Sequence, residues 1–226
     1  MKWTYLLINL FALSYPLVKS FEPKLRFYTR WKYYLPSLFL VALFFLVWDY
    51  FFIEAAVWRF NTDYILSVYL LNLPLEEILF FIAIPYACTF IYEAVWYFRK
   101  SYSYTFPLKP SVYALSALFA LLAWLNIDRL YTFYTLFFLS PLLLATVLFL
   151  SLRQLQNLWI TFAISLFPMA IVNGLLTSLP VLIYNDTQNC GVRIGSIPVE
   201  DFGYAAILIF ANILFYELFQ KNPQRT

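Results

Sequence analysis

Seven apolar stretches follow one another along this chain, at about residues 3–20, 35–57, 77–98, 110–126, 131–151, 158–183 and 202–220. Each approaches the roughly 20 mostly apolar residues that a helix needs to cross a bilayer. A segment inside lipid must satisfy its own backbone hydrogen bonds, which favours helices over open sheets. Of the 226 residues, 12% are charged and 63% hydrophobic, whereas about a quarter of a soluble domain is charged. The chain therefore reads as an all-α integral membrane protein, a bundle of seven transmembrane helices. The first stretch, with Lys2 ahead of it, has some features of a signal peptide. Val18-Lys19-Ser20 is a poor small-x-small cleavage site, so a retained helix is expected.

Several classes of chemistry are excluded at once. The chain has no histidine, so any general acid or base is a carboxyl, Tyr, Lys or Cys. Its two cysteines, Cys88 in an apolar run and Cys190 in a loop, give neither a disulfide framework nor metal-ligand spacing. Four glycines without a Gly-x-Gly exclude a dinucleotide fingerprint or a P-loop. The net charge of +3 belongs to the loops and gives no surface for nucleic acid.

Two short motifs stand out against this background. Asn72-Leu73-Pro74-Leu75-Glu76-Glu77 is echoed 124 residues later by Ser196-Ile197-Pro198-Val199-Glu200-Asp201. At the same offset Asn61 falls on Asn185, Val68 on Val192, Tyr92 on Tyr216 and Glu93 on Glu217. Eight of the 46 positions that overlay 48–93 on 172–217 are identical, among them scarce prolines and acids. Leu13-Ser14-Tyr15-Pro16 has a rough counterpart in Leu139-Ser140-Pro141. These matches predict an internal repeat in which helices 1–3 correspond to 5–7 and helix 4 connects them. Residues 1–109 would form the first repeat, 110–130 the connecting helix and 131–226 the second repeat. Copies four helices apart run in the same direction, a parallel repeat about an axis along the membrane normal.

Eleven of the 15 Lys and Arg residues fall on one side: Lys19, Lys24, Arg26, Arg30, Lys32, Arg99, Lys100, Lys109, Arg153, Lys221 and Arg225. The positive-inside rule makes that side cytoplasmic. The N-terminus is then outside, the C-terminus inside, and both acidic motifs lie at the outer face of the cell's inner or plasma membrane.

The plain reading of each motif is a helix start, with Asn72 or Ser196 as cap, proline in the first turn and acids against the helix dipole. A helix start needs only one acid, yet both copies keep two, beside Phe80-Phe81 and Phe202-Gly203-Tyr204 at the hydrocarbon edge. Ionisable residues there are costly and point to function. Carboxyls grouped in an apolar site separate into proton holder and proton acceptor, giving acid and base without histidine. Nearby aromatic faces stabilise a carbocation.

Pro74-Leu75-Glu76-Glu77 followed by Phe80, and Pro198-Val199-Glu200-Asp201 followed by Tyr204, resemble the paired signatures of the lycopene cyclase domain family. Members occur as heterodimeric bacterial subunits, as fused bacterial and archaeal proteins and within fungal bifunctional enzymes, and this chain resembles a fused form from about 3 to 220. The resemblance implies a lycopene β-cyclase that converts the open ends of lycopene to β-ionone rings, by way of γ-carotene to β-carotene. The catalytic acids would be Glu76, Glu77, Glu200 and Asp201, with Glu76 or Glu200 as proton donor. The donor protonates C2 of a terminal alkene, the C5=C6 alkene closes on C1, and a partner carboxylate removes the C6 proton. The resemblance implies no flavin or other cofactor. Lycopene and membrane lipid are the implied partners, together with other enzymes of the carotenoid pathway. Asp201 replaces a second Glu and makes the halves unequal.

Asp49 aligns with Asn173; both are candidates, with Phe80 and Tyr204, for lining the substrate pocket, and interhelical hydrogen bonding is the simpler alternative. Asn61 and Asn185 read as turn formers, Glu54 as an interfacial charge, and Arg193 as an interfacial residue or a partner of the second acid pair. Glu93 and Glu217 lie roughly 25 Å from the acidic motifs at 1.5 Å per helical residue, so they read as packing or interfacial residues. Trp31, Tyr33, Tyr34, Trp96 and Tyr97 suggest an aromatic belt. A retinal protein would need a lysine within the last helix, where the nearest is Lys221 at its very end. A proton-coupled transporter of a small hydrophobic substrate is the alternative function; Pro85 and Pro168 are its only hints of broken helices. A membrane scaffold gives no reason for duplicated acids.

Overall fold

A computed structural model of the chain describes residues 1–99 and 107–220. Lys100, Lys221 and Arg225, which enter the charge argument, lie outside the described residues. The described residues form seven α-helices: α1 (Thr4–Lys19), α2 (Trp31–Glu54), α3 (Leu75–Phe98), α4 (Leu108–Leu125), α5 (Leu130–Phe149), α6 (Leu152–Ser178) and α7 (Glu200–Gln220). Six are long and apolar enough to cross a membrane. The seventh, α1, is also apolar and has 16 residues. At 1.5 Å per residue it reaches about 24 Å, less than the ~30 Å hydrocarbon core. Helices α3 and α6 run unbroken through Pro85 and Pro168, unlike the interrupted helices of transporters.

Helices α3 and α7 are the most buried of the six long helices and form the centre. Helix α1 packs on α3 and α5 on α7, while α2 packs chiefly on α7 and α6 on α3. Each central helix is therefore sandwiched between one neighbour from its own side of the sequence and one from the other. Phe45, Phe81, Phe210, Leu143 and Leu155 fill the core between them. Tyr34, expected in an aromatic belt, is fully buried, with its ring against Phe27 and Tyr86. Its position four residues from the half-buried Arg30, about one helical turn on, turns it into the bundle rather than along its surface.

Short strands join the helices at the end that carries the acidic motifs. Strand β1 (Trp58–Phe60) pairs antiparallel with β4 (Leu182–Tyr184). Around this pair, Asn61 N donates to Val181 O and Asn185 N donates to Val57 O, both at 2.9 Å. The Asn61 and Asn185 side chains each accept the N–H two residues on, the Asx turn expected of them. Two hairpins follow, β2 (Tyr69–Leu70) with β3 (Leu73–Pro74), and β5 (Arg193–Ile194) with β6 (Ile197–Pro198). Leu75 N donates to Val68 O, and Val199 N to Val192 O. Positive φ occurs at Ser67 and Leu71 in the first loop and at Gly191 and Gly195 in the second. The loop shapes agree, but only the second has the residue type that adopts this conformation freely.

Asn72 and Ser196 are not helix caps. They sit in the hairpin turns: the Asn72 amide donates to Tyr50 O and Glu54 Oε1, and Ser196 Oγ bonds Thr177 Oγ1. The residue before α3 is Pro74, in extended conformation and without a side-chain cap. Hairpin closure has taken the capping residues away from the helix end. Arg193 pairs with Asp186 and donates to Ser196 O, not to the second acid pair. Hydrogen bonds from Asn189 and Arg193 hold the Asp186 carboxyl below its usual range.

At the other end of the bundle Tyr92 OH donates to Glu217 Oε1 and Tyr216 OH to Glu93 Oε1, each at 2.7 Å. Arg30 pairs with Glu93, and Gln154 Nε2 donates to Glu217 Oε2. Both acids are buried between α3 and α7, so they are packing residues and not interfacial ones.

Candidate active site

The four motif acids occupy the first turns of α3 and α7 and are all buried. Successive helical residues point about 100° apart, so the two members of each pair face different surroundings. Glu76 and Glu200 turn back to the loops that precede their helices. Glu76 Oε1 accepts from Leu66 N at 2.6 Å. Glu200 Oε1 accepts from Cys190 N at 2.7 Å and from Thr132 Oγ1 at 2.6 Å. These carboxyls satisfy loop N–H groups that the hairpins leave unpaired, the role of a cap played from inside the helix.

Glu77 and Asp201 turn the other way, into one cavity between the central helices. Tyr5 OH donates to Glu77 Oε2 at 2.5 Å. Tyr131 OH donates to Asp201 Oδ1 at 2.6 Å, and Tyr184 OH and Asn173 Nδ2 donate to Asp201 Oδ2 at 3.0 and 3.2 Å. Asp49, from α2, lies against Glu77 and accepts from Tyr204 OH at 2.6 Å. Three carboxyls from three helices thus meet with four tyrosines and an asparagine. Burial, and then the Asp201 carboxylate, hold the Tyr184 phenol well above its usual range. It remains a protonated donor.

The cavity measures about 40 Å³ and is lined by all six of Asp49, Glu77, Phe80, Asn173, Asp201 and Tyr204. Glu76 and Glu200 do not line it. Phe80, Asn173, Asp201 and Tyr204 also border a second space of about 70 Å³, which runs along α3, α6 and α7 past Ile84, Pro168 and Met169. That groove is almost wholly apolar, so the carboxyl cluster stands at the head of a hydrocarbon-lined passage. Aromatic faces surround the cluster: Tyr131 stacks on Tyr184 with centroids 5.7 Å apart, and Phe45 and Trp48 pack on Tyr204 at 4.8 and 5.2 Å. Among the described residues no group of three His, Cys, Asp or Glu has the arrangement of a metal site.

Tyr5, Tyr131 and Tyr184 carry no signal in the acidic motifs. The first two lie 126 residues apart, the offset that pairs Leu13 with Leu139, and extending that correspondence along the helix finds them. Tyr184 is brought in by the β1–β4 pairing, and nothing in its local sequence marks it.

The fold and these buried acids define a multi-spanning membrane protein that encloses a cluster of carboxyls and tyrosines at one end of an apolar bundle. Its sequence matches the lycopene cyclase family model over two regions, residues 2–95 and 128–219, and the chain belongs to that family. The family assigns it, broadly, to the carotenoid cyclases, with a lipophilic carotenoid as substrate. No curated protein and no solved structure matches the chain.

Proposed function

We propose that the protein is a lycopene β-cyclase, an isomerase of the intramolecular-lyase type, which closes the linear ends of lycopene to β-ionone rings and passes through γ-carotene to β-carotene. The observation that carries this reading is the meeting of Glu77, Asp49 and Asp201 in one aromatic cavity at the head of an apolar groove.

Asp49 and Glu77 lie in contact, and two like charges repel strongly when they are shielded from water. In the proposed mechanism the pair shares a proton and delivers it to C2 of the terminal alkene, leaving a cation at C1. The C5=C6 alkene attacks C1, forms the C1–C6 bond and moves the cation to C5. Asp201, whose anion accepts from Tyr131, Tyr184 and Asn173, balances that charge and removes the C6 proton to restore C5=C6. Product and substrate are isomers, and the step needs no redox cofactor. The Tyr204, Trp58 and Phe80 rings, which line the cavity, can stabilise the passing cation. In this reading Glu76 and Glu200 brace the loops that position the cluster, and the proton donor shifts from them to the Asp49–Glu77 pair.

We also read the chain as a parallel duplication, with 1–109 and 131–226 as the repeats and 110–130 as the connector. The reciprocal Asn61–Val181 and Asn185–Val57 bonds, the paired hairpins and the Tyr5–Glu77 and Tyr131–Asp201 bonds support it. The positive-inside asymmetry supports an outer location for the acids, with the N-terminus outside and the C-terminus cytoplasmic.

The test is expression in a bacterial host that accumulates lycopene, followed by chromatography of the pigments. β-Carotene or γ-carotene supports the reading. Unchanged lycopene, with the protein verified in the membrane, refutes it.

A further inference from the structure

Helix α4 packs along α5 and makes no comparable contact with α6 or α7. It stands off from them across a chamber of about 580 Å³, distinct from the cavity that holds Glu77 and Asp201. Phe119 and Leu122 form its α4 wall, and Trp159, Phe162 and Phe210 face them from α6 and α7. The volume is that of a small-molecule site, roughly 300–1,000 Å³ with apolar walls and a few placed polar groups.

One carboxyl heads this chamber. Glu200 is 5% exposed and borders the chamber; its Oε1 is held by Cys190 N and Thr132 Oγ1, while its Oε2 is buried without a protein hydrogen-bond partner. The corresponding Glu76 is fully buried and borders neither this chamber nor the cavity of Glu77 and Asp201. Among the described residues, the second half, where α4 stands beside α5, places such a space next to its outward-turned acid. The adjacent acids Glu200 and Asp201 thereby face two different spaces.

We propose that this lateral chamber is a second binding site, and that it takes one end of an uncharged polyene hydrocarbon with Glu200 at its head. Chamber chemistry selects the occupant. Among the described residues no Lys or Arg lines it, so a phospholipid phosphate would meet a carboxyl without a counter-cation there. Aromatic rings on two of its walls offer stacking faces to a conjugated chain. The proposal rests on the carotenoid reading for the ligand class, but it concerns a space that the cyclisation mechanism above does not use.

The test places the photo-crosslinking residue p-benzoylphenylalanine at Leu122, which is partly exposed on α4, in cells that accumulate lycopene. After irradiation the protein is purified and its adducts are weighed by mass spectrometry. An adduct with the mass of the polyene or its cyclised product, lost when Ala206→Trp fills the chamber, is the expected result. An adduct of phospholipid mass alone, or no adduct, overturns the site. Pigments extracted from the same cells separate the two claims. Cyclised pigment with a phospholipid adduct alone sinks the chamber and leaves the cyclase reading. A polyene adduct without cyclised pigment does the reverse. If Ala206→Trp fails to fold, the crosslink in the otherwise unchanged chain still decides.

Discussion

Tyr204, on α7, donates its hydroxyl to Asp49 on α2 at 2.6 Å, joining residues 155 apart in the chain. The bond ties a residue three positions past the second acid pair to a carboxyl that touches the first pair. Removing it with Tyr204→Phe leaves the ring in place and takes one donor from a buried carboxyl. A lost hydrogen bond to a charged group costs about 1.5–3 kcal/mol, or roughly ten- to a hundredfold in rate if it acts in the transition state. Conversion of lycopene by the purified variant in detergent, counted per folded molecule, should fall by that factor. Unaltered conversion would remove Asp49 and Tyr204 from the reacting group.

The two acids of the first motif should separate cleanly by substitution. Glu77→Gln removes a carboxyl from the shared cavity, and cyclisation should be lost while the protein still accumulates in the membrane. Glu76→Gln keeps an oxygen that can accept from Leu66 N, so most activity should survive. Pigment chromatography alongside an immunoblot checks both. The reverse pattern would return the donor role to Glu76.

Leu71 adopts φ +57° at a hairpin turn, where the other loop has Gly195 at φ +64°. Its side chain is 79% exposed, so little packing is lost on removing it. A left-handed non-glycine residue costs roughly 1–2 kcal/mol, partly offset by the greater freedom of glycine in the unfolded chain. Leu71→Gly should therefore raise the thermal midpoint in detergent, by an amount near 1 kcal/mol. A lower midpoint would show that Leu71 is held by something other than its own turn.

Tyr92→Phe and Tyr216→Phe each remove one donor from a buried glutamate at the far end. Each should destabilise by about 1–3 kcal/mol without altering the pigment profile per folded molecule. The double variant should depart from additivity, since the two bonds lie in one network between α3 and α7. Thermal unfolding of the three proteins measures it.

Much of this arrangement was legible in the sequence. Apolar run length predicts the helices closely, and the duplicated acids lead to the end of the bundle where the buried carboxyls meet. Asp49, Asn173, Phe80 and Tyr204 follow from alignment and proximity, and all four line the cavity. Which acid of each pair faces it was not legible, because Glu76 and Glu77 are neighbours with the same chemistry. The choice is made by the loop N–H groups of Leu66 and Cys190, which hold Glu76 and Glu200 away from the centre. Asn72 and Ser196 were misread for a related reason: composition suits them to capping, but the hairpins place them in turns.

The crossed contacts at both ends have a mechanical consequence. At one end β1–β4 and the reciprocal asparagine bonds stitch the loops together; at the other, Tyr92–Glu217 and Tyr216–Glu93 cross-brace α3 and α7. A barrel hooped at top and bottom cannot part along its length, and its staves can only spread between the hoops. A long stiff molecule bound for Glu77 would have to come through the wall, along the groove of α3, α6 and α7, with its far half still lying in the bilayer.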